Sequence, residues 1–255
     1  MKKVSAALLV FAAIVLSSCR NDNDKPELID RLRGLGAFTT PLVTTPSNTT
    51  PQKVTITAYA AVMNGDTVTV TPYVDAKPSS TYATPETDIT IDPNNMSYTA
   101  LDGFRLLKFT ATAVVPTEAL LAPLTRGGVF TGSAVRYGFS IAGTARTERI
   151  TGTYLVYPAG STQLTWQSPG IAVTAPAAGA SLAVATATDL VATLTNPNNE
   201  SLKLGWFVSE GTVGNRRKVD TLWTPDSAGT RTVLAALYGK QSHGFAIQVI
   251  QVVVQ

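Results

Sequence analysis

A single histidine, His243, and a single cysteine, Cys19, are all the imidazole and thiol that 255 residues contain. General-base catalysis through a Ser-His-Asp arrangement would have to recruit His243 beside a positioned acid. Its setting, "GKQSHGF", reads as an exposed hairpin turn. The sequence holds no His/Cys cluster at zinc spacing, no Gly-x-Gly-x-x-Gly after a strand pattern and no Walker loop. Asp88, Asp92, Asn94 and Asn95 in "DITIDPNN" could group oxygens for calcium, but turn chemistry explains Asp-Pro-Asn-Asn equally well. The same holds for Asn21-Asp22-Asn23-Asp24, a polar acidic run that also suits a solvated linker. Paired carboxylates for glycoside hydrolysis are open on spacing alone, and no pair stands out. The sequence therefore assigns no catalytic residue, no metal ligand set and no cofactor.

Charge argues against nucleic acid as a partner. Without Lys2 and Lys3, which belong to the amino-terminal leader, 18 basic residues face 17 acidic ones, whereas phosphate neutralisation needs a dense Lys/Arg footprint. The densest cluster, Arg216-Arg217-Lys218, reads as a solvated loop.

Cys19 matters for address. Met1-Lys2-Lys3 is a positive tip, Val4 to Leu16 an apolar run too short to span a bilayer comfortably, and Ser17-Ser18 the small residues a signal peptidase needs. Leu16-Ser17-Ser18-Cys19 resembles the lipobox of bacterial lipoproteins, and the resemblance implies cleavage before Cys19, its acylation, and a membrane anchor. Arg20 in second position, in place of the Asp of inner-membrane retention, implies the outer membrane, at the cell surface or on the periplasmic face. An exported chain with a lone free thiol would be exposed to oxidation; acylation removes that thiol.

Along the mature chain a period of two dominates, so strands must position whatever the protein presents. "KVTITAYAAVM" (53–63) puts Val54, Ile56, Ala58 and Ala60 on one face and Thr55, Thr57 and Tyr59 on the other. With Asn64-Gly65-Asp66 and "TVTVTPYV" (67–74) it predicts a hairpin. Further strands are predicted over 105–115, 134–141, 149–157 and 164–167. Glu27 to Leu35, "ELIDRLRGL", predicts one or two helical turns stopped by Gly34 and Gly36. Residues 77–95, rich in Pro, Ser, Thr and Asp, read as an inserted loop.

Composition breaks near Ser168-Pro169-Gly170, and a second unit of about seven short strands follows, as suits a sandwich. "LKLGWFVSEGTV" sets Leu202, Leu204, Trp206 and Val208 on one face and Lys203, Gly205, Phe207 and Ser209 opposite. In the final "GFAIQVIQVVVQ" the apolar set moves from Phe245, Ile247 and Val249 to Ile250, Val252 and Val254, which predicts a β-bulge. "GWFVSEGTV", "TLWTPDSAGTRTVLAAL" and the terminal "AIQVIQVVV" resemble bacterial immunoglobulin-like and polycystic-kidney-disease-like modules, and the resemblance makes Trp206 the core tryptophan and Trp223 the second. "LIDRLRGLGAFTTPLVTTPSNTTPQKVTITAYAAV" resembles, more weakly, the opening of surface lipoproteins in which a Leu-Arg pair and a Pro-rich crossing lead into a β-domain.

The expected organisation is a lipoprotein signal peptide (1–18), a tether and lead-in segment (19–50), an amino-terminal β-sandwich domain (51–168) and an immunoglobulin-like domain (169–255). This is an all-β chain of two tandem sandwiches. The expected role is non-catalytic: a membrane-anchored surface module that binds a protein or glycan partner, so far unknown, in adhesion. The alternatives are a structural envelope component pairing through β-edges and, remotely, a carboxylate-based hydrolase.

Overall fold

Thr, Val and Ile in alternation favour pleated, half-buried surface over helix, and the chain is nearly all strand. The computed structural model describes residues 27–73, 89–121 and 131–255; Cys19 and Asp88 lie outside them. The first sandwich holds β1 (Arg33–Thr40), β2 (Val43–Thr44), β3 (Lys53–Met63), β4 (Thr69–Pro72), β5 (Ile89–Ala100), β6 (Phe104–Val114), β7 (Ser133–Ala142) and β8 (Thr147–Val156), with one helical turn, α1 (Glu118–Leu121). The second holds β9 (Gly170–Ala175), β10 (Ser181–Leu182), β11 (Thr188–Thr195), β12 (Leu202–Val208), β13 (Thr212–Val213), β14 (Asp220–Thr224), β15 (Gly229–Gly239) and β16 (Phe245–Val254).

The two sandwiches share one topology. Sheets β1-β3-β6-β5 and β2-β8-β7-β4 of the first are matched, strand for strand, by β9-β11-β14-β13 and β10-β16-β15-β12 of the second. In each, the second strand pairs parallel with the last, β2 with β8 and β10 with β16. Neither is closed by a disulfide, so packing carries the stability.

Three apolar cores separate four layers of sheet. Val54, Ile56, Leu107 and Phe109 meet Phe139, Ile150 and Tyr154 inside the first sandwich; Leu204, Trp206, Val233 and Val252 meet Leu190 and Trp223 inside the second. The third core lies between sandwiches, where Ala61, Phe104, Tyr59 and Leu106 pack on Leu234, Ala236, Phe245 and Ile247. The domains follow one another in the chain but stand face to face in space. A Cβ on Gly36 would overlap the Phe245 ring, so glycine lets β1 approach that side chain.

This third core explains where the strand pattern misleads. β16 has no bulge: it pairs with β15 in unbroken register from Tyr238↔Phe245 to Gly229↔Val254. Phe245, Ile247 and Val249 belong to the core between sandwiches, and Ile250, Val252 and Val254 to the core within the second. The apolar phase changes because the strand serves opposite faces along its length. Residues 27–35 are not helical for a related reason. Ile29 enters the core between sandwiches and Leu32 the first core, while a bulge at Gly34/Gly36 hides the strand period of β1. Residues 33–44 are therefore sandwich strands and not part of a tether.

The turn at 63–66 forms, with Asp66 N–H donating to Met63 O at 3.1 Å, but no hairpin follows. β3 already has β1 and β6 on its two edges, so β4 crosses to pair with β7 in the opposite sheet. Residues 89–95 belong to β5, an edge strand, and not to an inserted loop; Pro93 is tolerated there because the edge needs no donor. Thr162–Thr165 form a 3-10 turn where a strand over 164–167 is predicted. The Leu164 and Trp166 spacing reflects their contact with Leu42 and Leu155, not a ladder.

Candidate functional site

The residues with catalytic potential are held in structural hydrogen bonds. His243 sits in the β15–β16 turn with φ 58°, half-buried rather than exposed, and its Nδ1 lies 2.9 Å from Tyr238 Oη. Burial lowers the imidazole below its ordinary value, against a raising influence of the Glu200 charge. Ser242 Oγ donates to the Glu200 carboxylate and accepts Gly244 N–H at 3.1 Å. The serine hydroxyl is thus directed at a carboxylate and the imidazole at a phenol, so a base–nucleophile pair is not assembled.

Glu200 is the centre of that knot, and it is only 6% exposed. It accepts Gln241 N–H at 2.7 Å, Ser242 N–H at 2.9 Å and Asn198 Nδ2 at 3.1 Å. Burial pushes its carboxyl up, but the bonds from Ser242, Asn198 and Gln241 together outweigh burial and hold it below its ordinary value. Asn196 brackets the same residue through Glu200 N–H and C=O at 3.0 and 2.7 Å. The Asn-Pro-Asn-Asn-Glu turn was readable as a turn; the burial of its acid was not.

Asp92 accepts Asn94 N–H at 2.9 Å and Asn95 Nδ2 at 2.5 Å inside the β5 irregularity, so its oxygens serve the turn. No group of three or more His, Cys, Asp or Glu placed to hold a metal occurs among the described residues. Trp206 and Trp223 are both fully buried. Their indole N–H groups donate to Lys218 O at 2.8 Å and Glu210 O at 3.0 Å, which makes both core side chains, as the resemblance implied for Trp206.

One open feature is a groove along the outer edge of β12. Antiparallel pairing with β15 directs alternate peptide groups outward. Trp206 N–H donates to Arg216 O at 2.9 Å, Val208 N–H to Glu27 O at 2.8 Å, and Ile29 N–H to Val208 O at 2.9 Å. The Asn215–Lys218 turn, closed by Lys218 N–H to Asn215 O at 3.2 Å and Arg217 N–H to Asn215 Oδ1 at 3.0 Å, thereby lays Arg216 and Arg217 beside the strand. One hollow of about 310 Å³ opens toward the first sandwich over Leu35, Phe207, Tyr238 and Phe245. A second of about 300 Å³ runs over Leu202 and Lys240. The two share Lys203, Leu204 and Arg217, and among the described residues neither is lined by a carboxylate. The loop cluster Arg216-Arg217 was visible in the sequence. Lys203 and Lys240 join it only through strand register, which the sequence does not display.

A second polar feature ties the sandwiches together. Arg231 Nη1 donates to Asp102 Oδ2 of the first sandwich at 3.2 Å, and its Nε lies 3.2 Å from Glu210 Oε1 of the second. A charged residue in the otherwise uncharged β15 was the only sequence signal for it.

No protein-family profile matches the chain, and no curated protein matches it. Among solved structures, the fibronectin(III)-like modules of Clostridium thermocellum CbhA are similar at 10% identity, with 91% of this chain and 92% of that one covered and a TM-score of 0.32. The N-terminal Ig1-2 module of Drosophila receptor protein tyrosine phosphatase DLAR gives 10% identity over 89% and 97%, with a TM-score of 0.27. The PKD domain of human KIAA0319 gives 13% identity over 38% and 88%, also at 0.27. These likenesses are of fold.

Proposed function

We propose that this chain is a lipid-anchored surface module of a bacterial envelope that binds a partner and performs no catalysis. The observation that carries the reading is the groove along β12: concave, bordered by cations with no carboxylate in its lining among the described residues, and built on two sandwiches locked by a common apolar core. Rigid strands position binding side chains more sharply than loops do. Cys19, through its lipobox-like surroundings, supplies the anchor, and the outer membrane is the site of action.

Two measurements test this. Replacing Cys19 by Ala releases the chain from the membrane fraction; continued membrane retention after normal cleavage would overturn the anchor. Protease added to intact cells digests the native chain, whereas protection until the outer membrane is permeabilised would move the module to the periplasm.

A further inference from the structure

Resting on that binding reading, we propose that the groove takes an acidic segment of a partner protein in extended form, added as a strand to the free stretch of β12 at Leu202–Leu204. Along β12, peptide groups two residues apart point the same way. Those of Trp206 and Val208 point outward and are taken by Arg216 and by residues 27–29. Leu202 and Leu204 share that phase, so their N–H and C=O groups line the same outer edge, where no backbone partner is found among the described residues. The chain itself shows that this edge accepts a strand, because Leu28 forms a parallel bridge with Val208. An edge of this kind is a template for β-augmentation, in which main-chain bonds give affinity and side-chain surroundings give selectivity.

The surroundings select for acid. Exposed Lys203, Arg217 and Lys240 flank the free stretch, and cations of this kind keep two copies of an edge apart while attracting a carboxylate-bearing strand. The Arg216 carbonyl occupies the edge at Trp206 and stops the added strand after a few residues. Its end then meets the hollow over Phe207 and Tyr238, which suits an aromatic or aliphatic side chain.

The test uses the full chain in detergent and three probes read by fluorescence anisotropy. These are a labelled peptide of alternating Glu and Val ending in Phe, the same peptide N-methylated at alternate nitrogens, and labelled polygalacturonate. The acidic peptide binds, and binding weakens as ionic strength rises. N-methylation weakens it about tenfold or more, and so does the double variant Lys203→Glu/Arg217→Glu. Lys203→Gln/Arg217→Gln, which adds no new charge, weakens it less, and melting curves matching the parent show that the variants are folded. Equal binding of the N-methylated peptide overturns the inference, because the strand edge is then not in use. Binding of polygalacturonate without the peptide overturns the inference and leaves the binding reading standing; binding of neither overturns the groove as a site, and with it both.

Discussion

Replacing Phe245 with alanine asks whether the two sandwiches unfold as one body. The ring is 4% exposed and lies in the core between sandwiches, with its centroid 6.1 Å from that of Tyr59 across the interface. Truncating a buried Phe to Ala costs about 3–5 kcal/mol through lost transfer and an unfilled cavity, of which the aromatic pair accounts for about 0.5–1.5 kcal/mol. In a chain of this length each kcal/mol moves the midpoint by about 2–4 °C, so a fall of roughly 6–20 °C is expected. Calorimetry gives the midpoint. Urea unfolding followed by two probes in a Trp166→Phe background gives the coupling: Trp166 packs on the first sandwich, and without it Trp206 and Trp223 report on the second sandwich while far-ultraviolet dichroism reports on both. The parent shows coincident transitions; in Phe245→Ala the probes separate, because the first sandwich loses only its contacts with the second. A variant melting within about 1 °C of the parent would refute the claim that this core couples the domains.

Trp206→Ala lowers the stability of the second sandwich by about 3–5 kcal/mol, measured by urea unfolding, and Trp206→Phe costs less because most of the volume is kept. Arg231→Met, which removes the bridge between Asp102 and Glu210, costs about 1–2 kcal/mol given the partial exposure of all three groups; a double variant with Asp102→Asn shows non-additivity by the same measurement. Glu200 governs acid sensitivity: its folded-state carboxyl lies below the ordinary value of 4.5, so its stabilisation is present above that value and lost as pH falls through the folded-state one. Glu200→Gln therefore lowers the melting temperature at neutral pH and flattens its decline as pH falls below the ordinary carboxyl value of 4.5, followed by melting at stepped pH.

The strands were legible wherever one face carries an unbroken apolar row. β3 and β12 show this, and the burial of Trp206 follows from the face it shares with Leu202, Leu204 and Val208. Legibility failed where a sheet is covered on both sides. Thr57 and Tyr59 sit on what reads as the solvent face of β3, yet Thr57 is buried and Tyr59 packs in the core between sandwiches. In β16 the same double coverage imitates a bulge. Period-two patterns report which face is apolar at each residue and not which core receives it. The groove was half legible for a different reason: Arg216 and Arg217 are sequence neighbours, but Lys203 and Lys240 join them across the Leu202↔Gly239 register. The Glu200 knot escaped because a glutamate in a polar turn gives no sign that four donors will converge on it.

The bridge between Leu28 and Val208 also defines a load path. Tension applied at the amino-terminal side of residue 27 does not reach β1 first. It enters the second sandwich through the two hydrogen bonds at Val208, Val208 N–H to Glu27 O and Ile29 N–H to Val208 O, and passes from β12 into the β15–β16 ladder. β1 itself is loaded only after those two bonds break. A pull on the leading end is therefore borne by the trailing domain, and the strap at residues 27–29 is the first link to yield.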